Sequence, residues 1–237
     1  MIDFHTHILP EIDDGSIDAQ MSVAILKELK NQGIKKVLLT PHFYAYASSA
    51  EIFAERRETS KQELLLELKK NPVDIELYLG CEVLYFEELW RIERLKDFSI
   101  QGTEYILVEM PFASWSGNMV RGLEKLIGKG LTPIIAHFER YIKYKGNWEK
   151  LYEMVEMGAL LQMNCKYIKD FRTRRRAIKL IKSGAVFAIG TDCHNLEDRA
   201  PDYREAVDIL KRKLSDSEFK QLMSRPNSIL KDAERIY

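Results

Sequence analysis

The residues best suited to chemistry are five histidines, His5, His7, His42, His137 and His194, and the carboxylates Asp14, Glu82, Glu109 and Asp192. His5 and His7 sit two apart in an apolar, β-prone run, so in a strand both imidazoles leave the same face. Asp13 and Asp14 follow on a turn closed by Gly15, Asp13 as a turn residue or a partner behind the ligands. Two imidazoles beside a carboxylate-bearing loop make a metal-binding corner, although a His-x-His at a strand end also arises by chance. The other histidines and carboxylates weigh against chance if the fold gathers them. A buried group of four carboxylates repels itself strongly unless cations neutralise it. Imidazole and carboxylate donors without thiolate suit Zn, Mn or Fe. Nine such donors are too many for one ion, so two or three ions about 3.5–4 Å apart are expected, a cluster that hydrolyses phosphate esters or amides.

The elements that must position these residues follow from the apolar patterning. Strands are predicted over 1–7, 35–42, 75–83, 105–110, 132–137, 160–164 and 186–192. Several are near-continuous Val/Ile/Leu runs, as parallel strands covered on both sides require. A first helix, with Met21, Ala24, Ile25 and Leu29 on one face, stops near Gly33. Further helices are expected at about 51–70, 86–95, 118–129, 147–157, 173–183, 202–213 and 216–224. Strand and helix alternating about seven times specify a parallel α/β fold. In order, the strand ends carry His5/His7, His42, Glu82, Glu109, His137, Asn164 and Asp192/His194. A barrel brings all these ends to one mouth, whereas an open sheet spreads them along an edge. Seven consecutive polar strand ends favour the barrel.

Composition excludes several classes. With 36 basic and 36 acidic residues among 237, no global field points to nucleic acid. No apolar stretch reaches the roughly 18 residues of a membrane span, and the N-terminus reads as a strand rather than a signal peptide, so a cytoplasmic protein is expected. Cys81, Cys165 and Cys193 form no Cys-x-x-Cys and are odd in number, which argues against a disulfide framework. They read as small buried hydrophobes, and none is needed as a nucleophile.

Taken together, His5-Thr-His7, Asp13-Asp-Gly15, Thr40-Pro-His42, Gly80-Cys-Glu82, Glu109-Met-Pro111, Ala136-His-Phe-Glu-Arg-Tyr141 and Gly190-Thr-Asp-Cys-His-Asn195 resemble the polymerase and histidinol phosphatase (PHP) domain. Within it the chain is most similar to the manganese-dependent protein-tyrosine phosphatases of the CpsB/CapC type. The likeness extends to Arg225-Pro-Asn-Ser-Ile-Leu230 and implies one α/β domain over residues 1–237, a distorted (β/α)7 TIM-like barrel. Carried over by position, it implies a first metal on His5, His7, Glu82 and Asp192. Glu82 would bridge to a second metal completed by Glu109 and His137, and Asp14, His42 and His194 would hold a third. Histidinol-phosphate-type members more often place histidines where this chain has Asp14 and Glu109. Carboxylates there make the site harder and favour Mn.

The resemblance implies a phosphotyrosine-protein substrate, with a bacterial tyrosine autokinase of polysaccharide export as partner. Arg140, three residues after His137, is placed to clamp phosphate, and Arg199 is a second candidate. Phe43, Tyr44 and Tyr46, and Phe112 with Trp115, are either an aromatic slot for the substrate ring or loop anchors. The run Arg172-Thr-Arg-Arg-Arg176 is either a solvated helix start or an attractor for an acidic tail. Rival readings are a small-molecule phosphatase, such as one for histidinol phosphate, and a binding module without catalysis.

Overall fold

Val, Ile and Leu runs do form parallel strands buried on both sides. The computed structural model of the chain describes residues 1–237. Its strands are β1 (Ile2–Thr6), β2 (Lys36–Leu39), β3 (His42–Phe43), β4 (Glu76–Leu79), β5 (Glu82–Leu84), β6 (Tyr105–Glu109), β7 (Thr132–Ile135), β8 (Leu160–Asn164) and β9 (Ala188–Gly190). All paired strands are parallel, in a three-stranded sheet β1-β2-β4 and a curled six-stranded sheet β3-β5-β6-β7-β8-β9.

Two predicted strands, 35–42 and 75–83, are each broken in two. Pro41, which lacks an N–H, interrupts the first, and Gly80-Cys81 interrupts the second. Gly80 N still donates to Leu39 O (2.9 Å) and Glu82 N to Pro41 O (3.0 Å), so the halves stay aligned. At the other side, Asp192 N donates to His5 O (2.8 Å) and His7 N to Cys193 O (2.9 Å), which lays β1 against the chain leaving β9.

The helices are α1 (Ala19–Asn31), α2 (Ala50–Lys70), α3 (Gly117–Gly128), α4 (Asn147–Glu156), α5 (Cys165–Lys169), α6 (Arg174–Lys182), α7 (Tyr203–Lys213) and α8 (Asp216–Leu230). Asp18, Ser49, Ser116 and Ser215 cap α1, α2, α3 and α8 through side-chain oxygens. In α1 the buried face is Ser22, Val23, Ile25, Leu26 and Leu29; Met21 and Ala24 lie at its flank. The α-helix expected at 86–95 is instead two 3₁₀ turns, Leu89–Arg91 and Leu95–Phe98. Leu89, Ile92, Leu95 and Phe98 recur every third residue, the 3₁₀ repeat. Helix α8 runs past the predicted stop at 224, through Pro226, which forfeits one N–H but is itself buried.

Inside the curl, Ile2, Phe4, Leu38, Tyr78, Leu107, Ile134 and Ala188 form a cluster closed off by Ile229 and Leu230 of α8. With the two-residue period of a strand, the same face continues to Glu109 on β6, Gln162 and Asn164 on β8, and Gly190 and then Asp192 beyond β9. An apolar plug thus lies beneath a polar layer. No helix is long and apolar enough to cross a membrane.

Candidate metal centre

All nine residues singled out as ligands meet at the polar layer. His5 Nε2 lies 3.1 Å from His7 Nε2 and 3.1 Å from Glu82 Oε2, while His7 Nε2 lies 3.3 Å from that oxygen and 3.4 Å from Asp192 Oδ1. His137 Nε2 is 2.9 Å from Glu82 Oε1 and 3.5 Å from Glu109 Oε1. His42 Nδ1 is 3.1 Å from Glu82 Oε2, and Asp14 Oδ1 is 3.6 Å from His42 Nε2 and 3.3 Å from His194 Nε2. Donor atoms of His5, His7 and Asp192 gather within 4.8 Å of one another, as do those of His7, Asp14, His42 and His194, and those of His42, Glu82 and Glu109. His42 therefore stands between two groups rather than in one.

The hydrogen bonds behind the rings determine where their lone pairs point. His5 Nδ1 meets Gln162 Oε1 (3.1 Å), an oxygen that also accepts from His137 N (2.7 Å). His7 Nδ1 meets Asp13 Oδ2 (2.8 Å), and His194 Nδ1 meets the Asp192 carbonyl (3.0 Å). These partners only accept, so Nδ1 carries the proton in each ring and Nε2 presents its lone pair to the centre. Two such lone pairs facing at 3.1 Å, as in His5 and His7, repel unless a proton or a metal cation lies between them. His42 Nδ1, Glu82 Oε1 and His194 Nε2 are buried without any hydrogen bond. Buried donor atoms without hydrogen bonds, aimed at common points, fit divalent cations.

Charge tells the same story. Burial, and then the neighbouring Glu82 carboxylate, push Glu109 up to about 8. Burial works to raise Glu82 too, but His5 and His137 beside it hold it well below the usual range. Burial and the charge of His7 lower His42 to about 4. Without a cation these carboxylates cannot all ionise, and these imidazoles cannot all charge.

The backbone is strained at two of these positions. His137 (φ 28°) and Asp192 (φ 57°) lie in the left-handed region, which residues with a Cβ seldom adopt. The bonds His137 N to Gln162 Oε1 (2.7 Å) and Asp192 N to His5 O (2.8 Å) hold them there. Gly15 is needed for packing as well as for its turn, since a Cβ there would sit 2.1 Å from His7 O.

Arg199 bridges two of the carboxylates, donating to Asp14 Oδ2 (3.2 Å) and Asp192 Oδ1 (3.0 Å). Arg140 reaches only to 3.7 Å from Asp192 Oδ2, lies over the Phe112 ring and is 44 % exposed at its side chain. Glu139, its neighbour in the chain, is buried and accepts from Asn164 N. Of the aromatic candidates, Phe43 packs on Phe53 and Phe98 in the core, and Trp115 is buried with Nε1 donating to Pro111 O. Both are anchors. Tyr44 stacks on His42, Tyr46 on Tyr44, and Phe112 faces His137, so these three rim the centre.

Residues 1–231 match the family described as "Capsular polysaccharide synthesis, CpsB/CapC". The chain belongs to this family. It is 27% identical over 248 residues to the tyrosine-protein phosphatase CpsB of Streptococcus pneumoniae, covering 98% of this chain and 99% of that protein. To the tyrosine-protein phosphatase YwqE of Bacillus subtilis it is 28% identical over 250 residues, covering 100% and 94%. A solved structure from work on YwqE of Bacillus subtilis and CpsB of Streptococcus pneumoniae, described as metal-dependent tyrosine phosphatases, superposes with a TM-score of 0.86 at 25% identity, over 99% of this chain and 96% of that one.

Three residues of this CpsB/CapC chain that matter to the centre escape motif reasoning. Gln162 lies mid-strand, and only its place on the polar face of β8 signals it. Tyr141 closes a quoted motif but shows no role until its OH is seen 3.1 Å from His137 Nδ1, accepting also from Met110 N. Asp13, expected only as a turn or supporting residue, orients His7 and accepts from His42 N (2.9 Å) and Gly15 N (3.0 Å). The Cys-x5-Arg spacing of thiol-based tyrosine phosphatases, expected to be absent, does occur at Cys193 and Arg199. The match is formal: the Cys193 thiol is buried, and burial pushes it well above its usual range.

Proposed function

We propose that the chain is a metal-dependent phosphotyrosine-protein phosphatase, one domain over residues 1–237. The observation that carries this is the convergence of histidine lone pairs and carboxylate oxygens whose outer atoms are already committed to fixed partners. We assign His5, His7, Asp14, His42, Glu82, Glu109, His137, Asp192 and His194 as the ligands of two or three ions. Four carboxylates and no thiolate favour Mn, with Zn or Fe as substitutes. Bound there, the ions would supply hydroxide at neutral pH and neutralise charge on the phosphoryl oxygens.

The chain's own groups do the rest. Asp13, Gln162 and Tyr141 hold His7, His5 and His137 in orientation. Arg140, with an exposed guanidinium placed over the Phe112 ring, clamps the phosphoryl oxygens. Arg199 assists from the other side while tying Asp14 to Asp192. Phe112, Tyr44 and Tyr46 offer faces to the tyrosyl ring. The names of the relatives support the reaction, and the family description supports a role in capsular polysaccharide synthesis; within that role we assign a tyrosine autokinase as the partner. Three free, buried cysteines agree with a cytoplasmic location. We read the two sheets as one distorted (β/α)7 barrel, supported by the continuous bonds across the strand breaks and between β1 and the chain after β9.

Initial rates on phosphotyrosyl peptide, phosphoseryl peptide and histidinol phosphate, with Mn, Zn, Mg or chelator, test this. Phosphotyrosyl peptide with Mn should be fastest, and chelator should abolish turnover. Activity that survives chelation, or a preference for histidinol phosphate, overturns it.

A further inference from the structure

The groove beside Asp192 is far larger than a phosphoryl group requires. Its volume is about 1000 Å³, the upper end of pockets that enclose a whole drug-sized ligand (about 300–1,000 Å³). Arg140, Asp192 and Arg199 line it at the metal centre, and Lys166, Asp170 and Thr173 line it along α5 and the loop into α6. On that same loop and the first turn of α6 stand Arg172, Arg175 and Arg176. All three are exposed, and none forms an ion pair. Arg172 lies over Phe171, which is 76 % exposed, and Arg176 over the exposed Trp148. Their neighbour Arg174 is different, because it donates to the Ile168 and Lys169 carbonyls.

This placement opposes local preference. The first turn of a helix favours acidic residues, yet α6 has none there and opens on three arginines. In a chain of balanced charge, free cations concentrated at that place select an anionic partner. Within the groove Lys169 of α5 pairs with Asp202 (3.2 Å) and Glu205 (3.0 Å), and carboxylates outnumber cations along its lining, so the unmatched cations are the three arginines beyond it.

We propose that Arg172, Arg175 and Arg176, beyond the end of the groove, hold an acidic segment of the substrate polypeptide that flanks the phosphotyrosine. This rests on the phosphotyrosine-protein reading above and names the source of substrate choice within it. Continuity with the metal centre favours a polypeptide over a lipid surface. Helix α5 begins directly after Asn164, which lines the groove and donates to Asp192 Oδ2 (2.9 Å). Its length, roughly 7.5 Å at 1.5 Å per residue, is covered by about two or three extended residues. The loop over 170–173 and the first turn of α6 add to that span, so acids several positions from the phosphotyrosine, rather than next to it, meet Arg172, Arg175 and Arg176.

The test compares Mn-loaded wild type with the R172E/R175E/R176E variant. Substrates are phosphotyrosyl peptides with three acids before the tyrosine, three after it, or lysines in their place, together with phenyl phosphate. Glutamates in the first turn suit the helix, so the variant should fold. Wild type should favour one acidic peptide over its lysine counterpart by about tenfold in kcat/KM, as a few exposed charge pairs allow. The difference should lie in KM and fade with salt. The variant should lose or invert the preference while phenyl phosphate turnover is unchanged. Equal rates on acidic and lysine peptides, or a preference that persists in the variant, overturns the proposal. So does phosphatidylserine-vesicle binding that the variant loses while its peptide preference stays intact, which would assign the arginines to a membrane surface. No turnover of phenyl phosphate or any peptide would instead bring down the phosphatase reading, and this proposal with it.

Discussion

Gly190 lies so close against His5 that a Cβ at position 190 would stand 2.7 Å from the His5 Cβ and 2.8 Å from its backbone nitrogen. Both distances are shorter than real Cβ contacts allow, and Gln162 Nε2 at 3.1 Å blocks retreat on another side. Gly190→Ala should therefore displace His5 and the Gln162 oxygen that orients it. A shift of this order costs about 100-fold in rate when a catalytic group is misplaced. Metal content should fall with activity while the circular dichroism spectrum stays native. A fully loaded, fully active variant would show that His5 need not hold its position.

Tyr141→Phe isolates a supporting group without touching a ligand. It removes the oxygen that meets His137 Nδ1 and accepts from Met110 N, leaving a buried N–H unpaired at a cost of about 1–3 kcal/mol. Loss of such a partner lowers metal affinity by about 10–100-fold. The expected result is a weaker metal-binding isotherm and a lower Tm, with activity restored by excess metal. An unchanged isotherm would mean that packing alone fixes the His137 ring.

These two cases show what was legible in the sequence and what was not. His5-x-His7 and the polar strand ends fall in parallel strands, so residue type and period were enough to place the ligands. Gly190 opens the Gly190–Asn195 motif, yet only the approach of β1 to β9, a contact made across the whole chain length, shows that a side chain cannot fit there. Gln162 had no local signal because its partners, His5 and His137, come from two other strands. The 86–95 segment reads as α-helix because apolar spacing of three resembles helical spacing over so short a span. The breaks at Pro41 and Gly80 do carry a local signal, since both residues interrupt strands, but the apolar runs on either side read as continuous.

Removing the metal should make stability pH-dependent through Glu109. Its folded pKa, about 8 against an ordinary 4.5, means the native state holds a proton that the unfolded state has lost between those values. Stability then falls as pH rises across that window, because the native state binds more protons there. Thermal melts of chelated protein should show Tm declining from pH 5 to pH 8 by several degrees more than in Glu109→Gln. Parallel curves for the two proteins would show that Glu109 does not carry this charge conflict.

Cys193→Ala separates metal chemistry from the formal Cys-x5-Arg match. The thiol is buried and its backbone pairs with β1, so only packing is lost, at a cost of about 1 kcal/mol. Turnover should be unchanged and insensitive to iodoacetamide in wild type. A dead Cys193→Ala enzyme that still binds metal would point to a thiol nucleophile after all.

Arg140 and Arg199 should respond differently to removal because their surroundings differ. Arg199 is tied to Asp14 and Asp192, so Arg199→Ala releases two carboxylates and should alter metal binding as well as rate. Arg140 has only the 3.7 Å approach to Asp192 and the face of Phe112, so its charge is free for an incoming anion. Arg140→Ala should lower kcat/KM for phenyl phosphate by about 100-fold, as loss of one donor to a transition-state oxyanion does, with metal content and Tm unchanged. Arg140→Lys keeps the charge but loses the planar fork and the stacking on Phe112, so it should recover only part of the rate. Inorganic phosphate, as a competitive inhibitor, should weaken in step with the rate for Arg140→Ala. If phosphate inhibits that variant as well as wild type, the clamp lies elsewhere, and Arg199 alone is left to supply it.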